Sequence, residues 1–509
     1  MTPRNALAGS SFFRAVNLGM RQLLGLFLMV LVNTSLAQTF VVTRNYRARP
    51  EKEKASIVLD WKQLQSHSTI PEKGDFDIID NNFGIKVSKR IVDSDKDGAP
   101  DAVVIDHLFG SDEATYSFAV RANGQNLSVS EGNASPDPRL TITYLKKIEV
   151  GNWPDKIIES TMAFYPEPPA SYDHQFAYFL TAMFQRWQET KKPEYFNYIK
   201  KWCDRFIDSH GSFNPRYYNV ADYQLDDLLG GRLYISLYEV TKDSKYKGAA
   251  DQLKQQLRYQ PRTTDGGYWH NQSSPYQLWI EGVYMADIFS MQYGRVFNEP
   301  SLFNEAMQHI RLIEEHNRDT HTGLLYHGWD ESGNNVWANE ESGTSPEFWS
   351  RGIGWYMMAL LECIDYIPLE SANRKEVGPL FSQLAKTVAK YQDARTGLWY
   401  QVINKSYEPR NWHETSATAM FAYAFAKGYR KGILDKSYLA AAQKAFDAIK
   451  DKYIFFDDEG RLYFDGIVKV GSLNVKTSKG DLDYYVSVER RVNDYKGLGS
   501  LLFLSQELD

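Results

Sequence analysis

The hydrophobic pattern changes period along the chain. An apolar run, Leu23 to Val32, follows Arg21 and precedes Ser35-Leu36-Ala37. About ten apolar residues are too few to cross a bilayer, and the small-x-small triplet after them is the mark of a cleaved secretory signal. Residues 1–37 are therefore expected to direct export, to the periplasm or beyond. No later run reaches the ~18 apolar residues of a membrane span. Across 38–150, short β-branched runs (40–43, 56–59, 102–105, 116–120 and 140–144) are separated by Gly, Asp, Asn and Pro. This pattern predicts a small β-rich, sandwich-like module.

From about Asp155 the period becomes helical. Phe176, Phe179, Leu180, Met183, Phe184 and Trp187 recur at i, i+3, i+4 and i+7. Helices are predicted at 155–163, 173–190, 194–209, 223–241, 244–258, 276–295, 299–317, 350–367, 374–392, 415–431, 435–452 and 492–507. Between them a polar turn, a glycine and an apolar-aromatic extension recur around Gly211, Gly267, Gly323, Gly397 and Gly460. A repeat of roughly 50–60 residues holding two helices is one helical hairpin. Glycine is expected to follow the helix as a left-handed cap. Six hairpins closing into a ring leave no exposed solenoid end and gather the repeated loops at one mouth. An open superhelix is the rival arrangement.

Composition narrows the function. A net charge of −6 argues against a nucleic-acid partner. Cys203 and Cys363 are too few for a disulfide scaffold or a zinc knuckle and read as two buried thiols. Thirty-three Tyr, 27 Phe and 12 Trp suit either packing or stacking on sugars. In the β-rich module, Asp93, Asp95, Asp97 and Asp101 alternate around Gly98. That turn suits calcium or a solvated acidic hairpin, and Val104 at the twelfth position excludes an EF-hand.

The candidate chemistry lies in the helical part. Pro275 is expected in a first helical turn, which places Gln277, Glu281, Tyr284 and Met285 on one face. With Gln277 and Met285 at i±4, Glu281 has no helical base, and a half-desolvated carboxyl of this kind is expected to titrate high enough to act as an acid. Asp226 beside Asp227 reads either as a helix-start carboxylate or as an inward-facing one. Trp349, Arg351 and Trp355 combine flat apolar faces with a forked cation suited to a carboxylate. His270 and His327 sit on separate loops without i+4 partners, so no zinc site is expected. His174 starts a predicted helix.

Several motifs in order resemble glycoside hydrolase family 105, the unsaturated rhamnogalacturonyl and related uronyl hydrolases, over about 155–509. They are Leu225-Asp226, Gly266 to His270, Pro275 to Met285, Gly323 to Asp330, Trp337 to Gly343, Ser345 to Trp355, Tyr391 to Tyr400, Trp412 to Ser416 and Tyr485 to Arg490. The resemblance implies a mainly α fold, an (α/α)6 barrel over 151–509 behind the module at 38–150, with no metal or organic cofactor in the barrel. It implies a partner oligosaccharide carrying a 4,5-unsaturated uronate at its non-reducing end. A carboxylic acid protonates C4 and water adds at C5. Carried over by position, the acid/base is Glu281, its companion carboxylate is Asp226, and His174, His270, Gln277, Met285, His327, Trp349, Arg351 and Trp355 contact the sugar. A second carboxylate close by is expected to raise the pKa of the first. Two positions depart from the family: Glu281 stands where Asp is usual, and Asn271 where Lys is frequent. Specificity for ulvan or arabinogalactan fragments, or a silent carbohydrate-binding barrel, are the alternatives.

Overall fold

The computed structural model describes residues 38–508 except 45–52, 69–73, 110–114, 475–477, Gly98 and Asn133. The expected signal segment lies outside the described residues. Among the described residues, β-branched and aromatic runs form nine strands before residue 150: β1 Gln38–Arg44, β2 Glu53–Asp60, β3 Gly74–Asp80, β4 Ile85–Val87, β5 Lys89–Asp93, β6 Ala102–Phe109, β7 Thr115–Asn126, β8 Ser130–Glu131 and β9 Leu140–Tyr144. They assemble into two sheets, β4-β3-β7-β1-β9 and β2-β6-β5-β8. Alternation sends Phe40 and Val42 of β1, Ile57 of β2, Phe76 of β3, Ile105 of β6 and Phe118 of β7 into one shared core. Phe40 faces Phe118 across the antiparallel β1–β7 pair.

The acidic turn after β5 brings carboxylate oxygens of Asp93, Asp95 and Asp101 within 4.8 Å of one another, with Asp97 outside that trio. Its own backbone supplies donors: Ser94 N–H reaches Asp101 at 2.6 Å and Lys96 N–H reaches Asp93 at 2.7 Å.

Twelve longer helices follow among the described residues: α1 Trp153–Phe164, α2 His174–Thr190, α3 Pro193–Asp204, α4 Gly231–Thr241, α5 Ser244–Tyr259, α6 Ile288–Val296, α7 Ser301–Asn317, α8 Ser350–Tyr366, α9 Ala372–Ala389, α10 Thr415–Arg430, α11 Lys436–Tyr453 and α12 Tyr495–Leu508. The even-numbered helices contact one another in the closed cycle α2-α4-α6-α8-α10-α12, and each odd-numbered helix backs one of them. Burial follows this division: α8 and α10 are buried almost all round, whereas α11 buries only Ala442, Ala445, Phe446 and Ile449. The ring is the expected (α/α)6 barrel. Cys203 and Cys363 are free and buried.

Two predicted helices begin later than their sequence pattern suggested. Residues 225–230 form a 3-10 segment before α4. Residues 277–279 form a strand, β10, that pairs with β11, Gly328–Asp330, so the expected helical face joining Gln277 to Glu281 does not exist. Tyr276 lies at φ 64, and that left-handed step cannot continue a helix. The repeated glycines also differ from expectation. Gly211, Gly323, Gly397 and Gly460 take positive φ in tight turns after the outer helices, not in helix caps, and in the second repeat Gly266 does so instead of Gly267. Each turn closes by a bond such as Gly211 N–H to Asp208 O at 3.1 Å, and the segments lead back to the inner helices' N-terminal mouth.

The sandwich packs directly on the barrel. Asp465 accepts from Ser117 Oγ at 2.7 Å and Asn81 Nδ2 at 3.0 Å, and Arg490 N–H donates to Asn82 O at 2.9 Å. Just beyond those contacts, β12 (Ile467–Val468) pairs with β13 (Arg490–Arg491). That ribbon carries the carbonyls that hold Arg351, so the module braces the wall to which Arg351 belongs.

Candidate active site

A cavity of about 300 Å³ opens at the N-terminal ends of the inner helices. His174 and Gln175 of α2, Asp226, His270, Glu281, Met285, Trp349, Arg351, Trp355 and Lys496 line it, together with Trp279 and the 470–474 loop. Eight of the ten residues expected in the site therefore reach one cavity from separate loops and helices. Gln277 and His327 stand behind its wall.

Glu281 follows β10 and precedes a π-helical turn, Val283–Asp287. Such turns rotate side chains off the regular helical face. The residue is 6% exposed. Its Oε1 lies 2.9 Å from His327 Nε2, while Oε2 has no hydrogen-bond partner among the described residues. Fully buried His327 places its other ring nitrogen 2.5 Å from the Tyr485 hydroxyl. Burial, reinforced by nearby Tyr484 and Glu281, raises the Tyr485 phenol well above its ordinary value, so it remains protonated.

Asp226 sits on the 3-10 segment, with Oδ1 3.4 Å from His270 Nε2 and Oδ2 3.8 Å from His174 Nδ1. Burial alone would raise this carboxyl. The charges on His174, His270 and Lys496 and the contact with His270 outweigh it and hold the group below the ordinary Asp range. Burial likewise pulls His270 down, but Asp226 and then Glu281 reverse that and raise it. The second carboxylate is therefore compensated by histidines instead of acting as a bare like charge on Glu281. The His270 ring stacks on Trp279 at 4.3 Å and 16°. Its Nδ1 has no hydrogen-bond partner among the described residues.

Arg351 does not present the free fork expected of it. Nη1 donates to Val468 O, and Nη2 to Lys469 O at 3.2 Å, with its Nε left without a partner among the described residues. Glu414 caps α10 and accepts from Val468 N–H at 3.0 Å, fixing the same strand. Gln277 is also committed elsewhere, since its Oε1 accepts from Trp279 Nε1 at 2.9 Å. Trp349 and Trp355 are almost fully buried yet contribute to the cavity wall.

Sequence reasoning missed Lys496, Gln175 and the role of Tyr485. Lys496 donates to Gln175 Oε1 and to Asp494 at 3.0 Å. Burial, with help from Arg351 and against Asp494, brings its ammonium down to about 8. Only an Asp494-Tyr-Lys496 start to the last helix hinted at a buried cation. The site thus sets two carboxylates against His174, His270, Arg351 and Lys496 at converging helix N-termini, where an anionic ligand is favoured.

This arrangement, polar groups in a helical ring around one buried and one half-buried carboxylate, defines a glycosidase-type pocket. The sequence profile of Glycosyl Hydrolase Family 88 matches residues 149–509. A solved family 105 glycoside hydrolase from C. acetobutylicum ATCC 824 superposes with a TM-score of 0.67 at 31% identity, covering 70% of this chain and 99% of that one. Protein Atu3128 of Agrobacterium fabrum is 34% identical over 226 residues, 43% of this chain and 96% of its own length. Unsaturated rhamnogalacturonyl hydrolase YesR of Bacillus subtilis is 25% identical over 303 residues, 58% of this chain and 78% of its own. The chain belongs to Glycosyl Hydrolase Family 88, within the kinship of family 105 that its motifs indicated.

Proposed function

We propose that the chain removes a 4,5-unsaturated uronic acid from the non-reducing end of lyase-generated oligosaccharides of rhamnogalacturonan type. The observation that carries this reading is Glu281, buried in the cavity wall with one oxygen against His327 and the other unpartnered. The neighbouring groups define a proton arrangement. The Tyr485 hydroxyl donates to His327 Nδ1, which leaves a proton on Nε2 to donate to Glu281 Oε1. In the acid step the proton is carried by Oε2, the oxygen without a hydrogen-bond partner among the described residues.

Oε2 delivers its proton to C4, and positive charge develops at C5 and the ring oxygen. The Asp226 anion stabilises that charge electrostatically. Water attacks C5 and returns a proton to Oε2, so Glu281 serves as acid and then base. The hemiketal opens to a C5 ketone, and the hemiacetal left at C1 releases the remaining chain. Lys496 and the helix N-termini favour the uronate carboxylate. The name of the relative YesR agrees with this substrate class. Export through the 23–37 segment belongs to the same reading, and sequencing the secreted protein's N-terminus, expected near Gln38, checks it.

The decisive assay follows the ultraviolet absorbance of the conjugated double bond in lyase products. Loss of absorbance with release of the shortened chain is expected. A flat signal alongside measurable binding would instead make the barrel a carbohydrate-binding protein.

A further inference from the structure

The β-sandwich meets the barrel at Arg490 in two separate ways. The backbone N–H of Arg490 donates to Asn82 O at 2.9 Å, and Arg490 faces Val468 across the β12–β13 pair. Its side chain makes a second contact. Nη1 donates to Asn81 O at 3.4 Å, and the guanidinium lies 4.4 Å from the centre of the Trp412 ring, a cation over an aromatic face. Gly84 lies against the same group: a Cβ at that position would stand 2.8 Å from Nη2. The turn that presents these atoms, between β3 and β4, is fixed within the sandwich. Gly84 N–H donates to Asp80 O at 2.7 Å, Asn82 N–H to Asp80 Oδ1 at 2.9 Å, and Ser117 N–H to Asn82 Oδ1 at 2.9 Å. The Arg490 guanidinium is thus held between a rigid turn of the sandwich and a tryptophan of the barrel.

That tryptophan leads to the site. Trp412 packs in one small core cluster with Trp349, Val402, Val468 and Tyr485. Trp349 lines the cavity, and the Tyr485 hydroxyl lies 2.5 Å from His327 Nδ1. The Trp349 and Tyr485 rings stack at 6.0 Å and 23°, and Trp349 lies 4.7 Å from the His327 ring. Close packing leaves none of these rings free to turn alone. Trp412 Nε1 has no hydrogen-bond partner among the described residues, so packing and the Arg490 cation set the ring's orientation. A shift of Trp412 is therefore passed to the hydroxyl that fixes the His327 proton.

We propose that Arg490 is a positioning residue through which the docked sandwich holds Tyr485 on His327, which makes the N-terminal module a working part of the active site. The inference rests on the reading of Glu281 as the proton donor steered by His327 and Tyr485.

Arg490→Met removes the cation and keeps the backbone contact to Asn82, so the strand that holds Arg351 stays in place. In the full chain acting on lyase-generated oligosaccharides, it is expected to lower kcat by about 10- to 100-fold with KM within about threefold of the parent, the scale of a misplacement near one ångström. Gly84→Ala displaces the guanidinium from the sandwich side and should also lower kcat. Tyr485→Phe removes the end point of the path. Adding Arg490→Met to it should cost no more than about twofold further, because residues acting through one contact do not multiply their effects. If Arg490→Met does not fold, Gly84→Ala with and without Tyr485→Phe completes the same cycle. Multiplied losses in the double variant, or parental kcat in both Arg490→Met and Gly84→Ala, overturn the positioning role and leave the proposed activity of the parent intact. A parent chain that hydrolyses no unsaturated oligosaccharide overturns that activity and this inference together.

Discussion

The two mouths of the ring are built by opposite ends of the same six helices, yet their charges are partnered differently. At the C-terminal mouth a cavity of about 510 Å³ is lined by Arg232, Glu362, Asp365, Lys427 and Lys431 among others. Glu362 pairs with Arg232 at 2.5 Å, Asp365 with Lys427 at 3.1 Å, and Glu507 with Arg430 at 2.6 Å. Arginine and lysine there also complement the negative ends of the helix dipoles. At the N-terminal mouth, the nearest basic side chain to Asp226 is His270 and that to Glu281 is His327. Histidine exchanges protons near neutrality, whereas arginine does not. One mouth therefore holds its charges fixed, and the other is equipped to move a proton.

The sharpest test removes the proton donor. Glu281→Gln keeps the shape of the wall and should lower kcat by about 10²–10⁴-fold with binding retained, as isothermal titration against an uncleaved analogue would show. Unchanged turnover would sink the assignment. At the opposite mouth, Glu362→Gln should leave the buried Arg232 guanidinium uncompensated and cost about 3–5 kcal/mol of stability in urea titrations. Activity per folded molecule should stay near that of the parent, and if it fell with stability intact the two mouths would not be separable in this way.

The histidine partners give the N-terminal mouth its own pH signature. Asp226 outweighs burial and raises His270 above 6.5, so the native state holds that proton more tightly than the unfolded chain. This contribution to stability is complete below pH 6.5 and fades as pH rises through the raised value. Thermal midpoints recorded between about pH 6 and 9 should show the decline, and Asp226→Asn should flatten it. The smallest effect concerns Lys496. Its charge is lost as pH passes about 8, so KM for an anionic sugar should climb there more than kcat falls. Lys496→Arg should move that rise to higher pH, and an unmoved profile would remove Lys496 from anion recognition.

Much of the site was legible because its residues lie in short motifs. His270, Glu281 and Met285 fall within one stretch, as do Trp349, Arg351 and Trp355, and all six reach the cavity. The helical face drawn through Gln277 and Glu281 was wrong because β10 pairs with β11, a contact made by residues some fifty positions away. Tyr485 and His327 are 158 residues apart, and no local pattern joins them. Arg351 looked like a carboxylate clamp until the carbonyls of Val468 and Lys469 took up its fork.

The sequence by itself determined the two periods, the β-module before the helical hairpins, and the residue types able to do acid–base chemistry, because these depend on neighbours within a few positions. Tertiary structure alone decided which carboxylate meets a histidine and which meets an arginine, and which buried oxygen is left without a partner. Those outcomes depend on chain closure, which brings remote groups to within about 3 Å and removes the water that would otherwise solvate them.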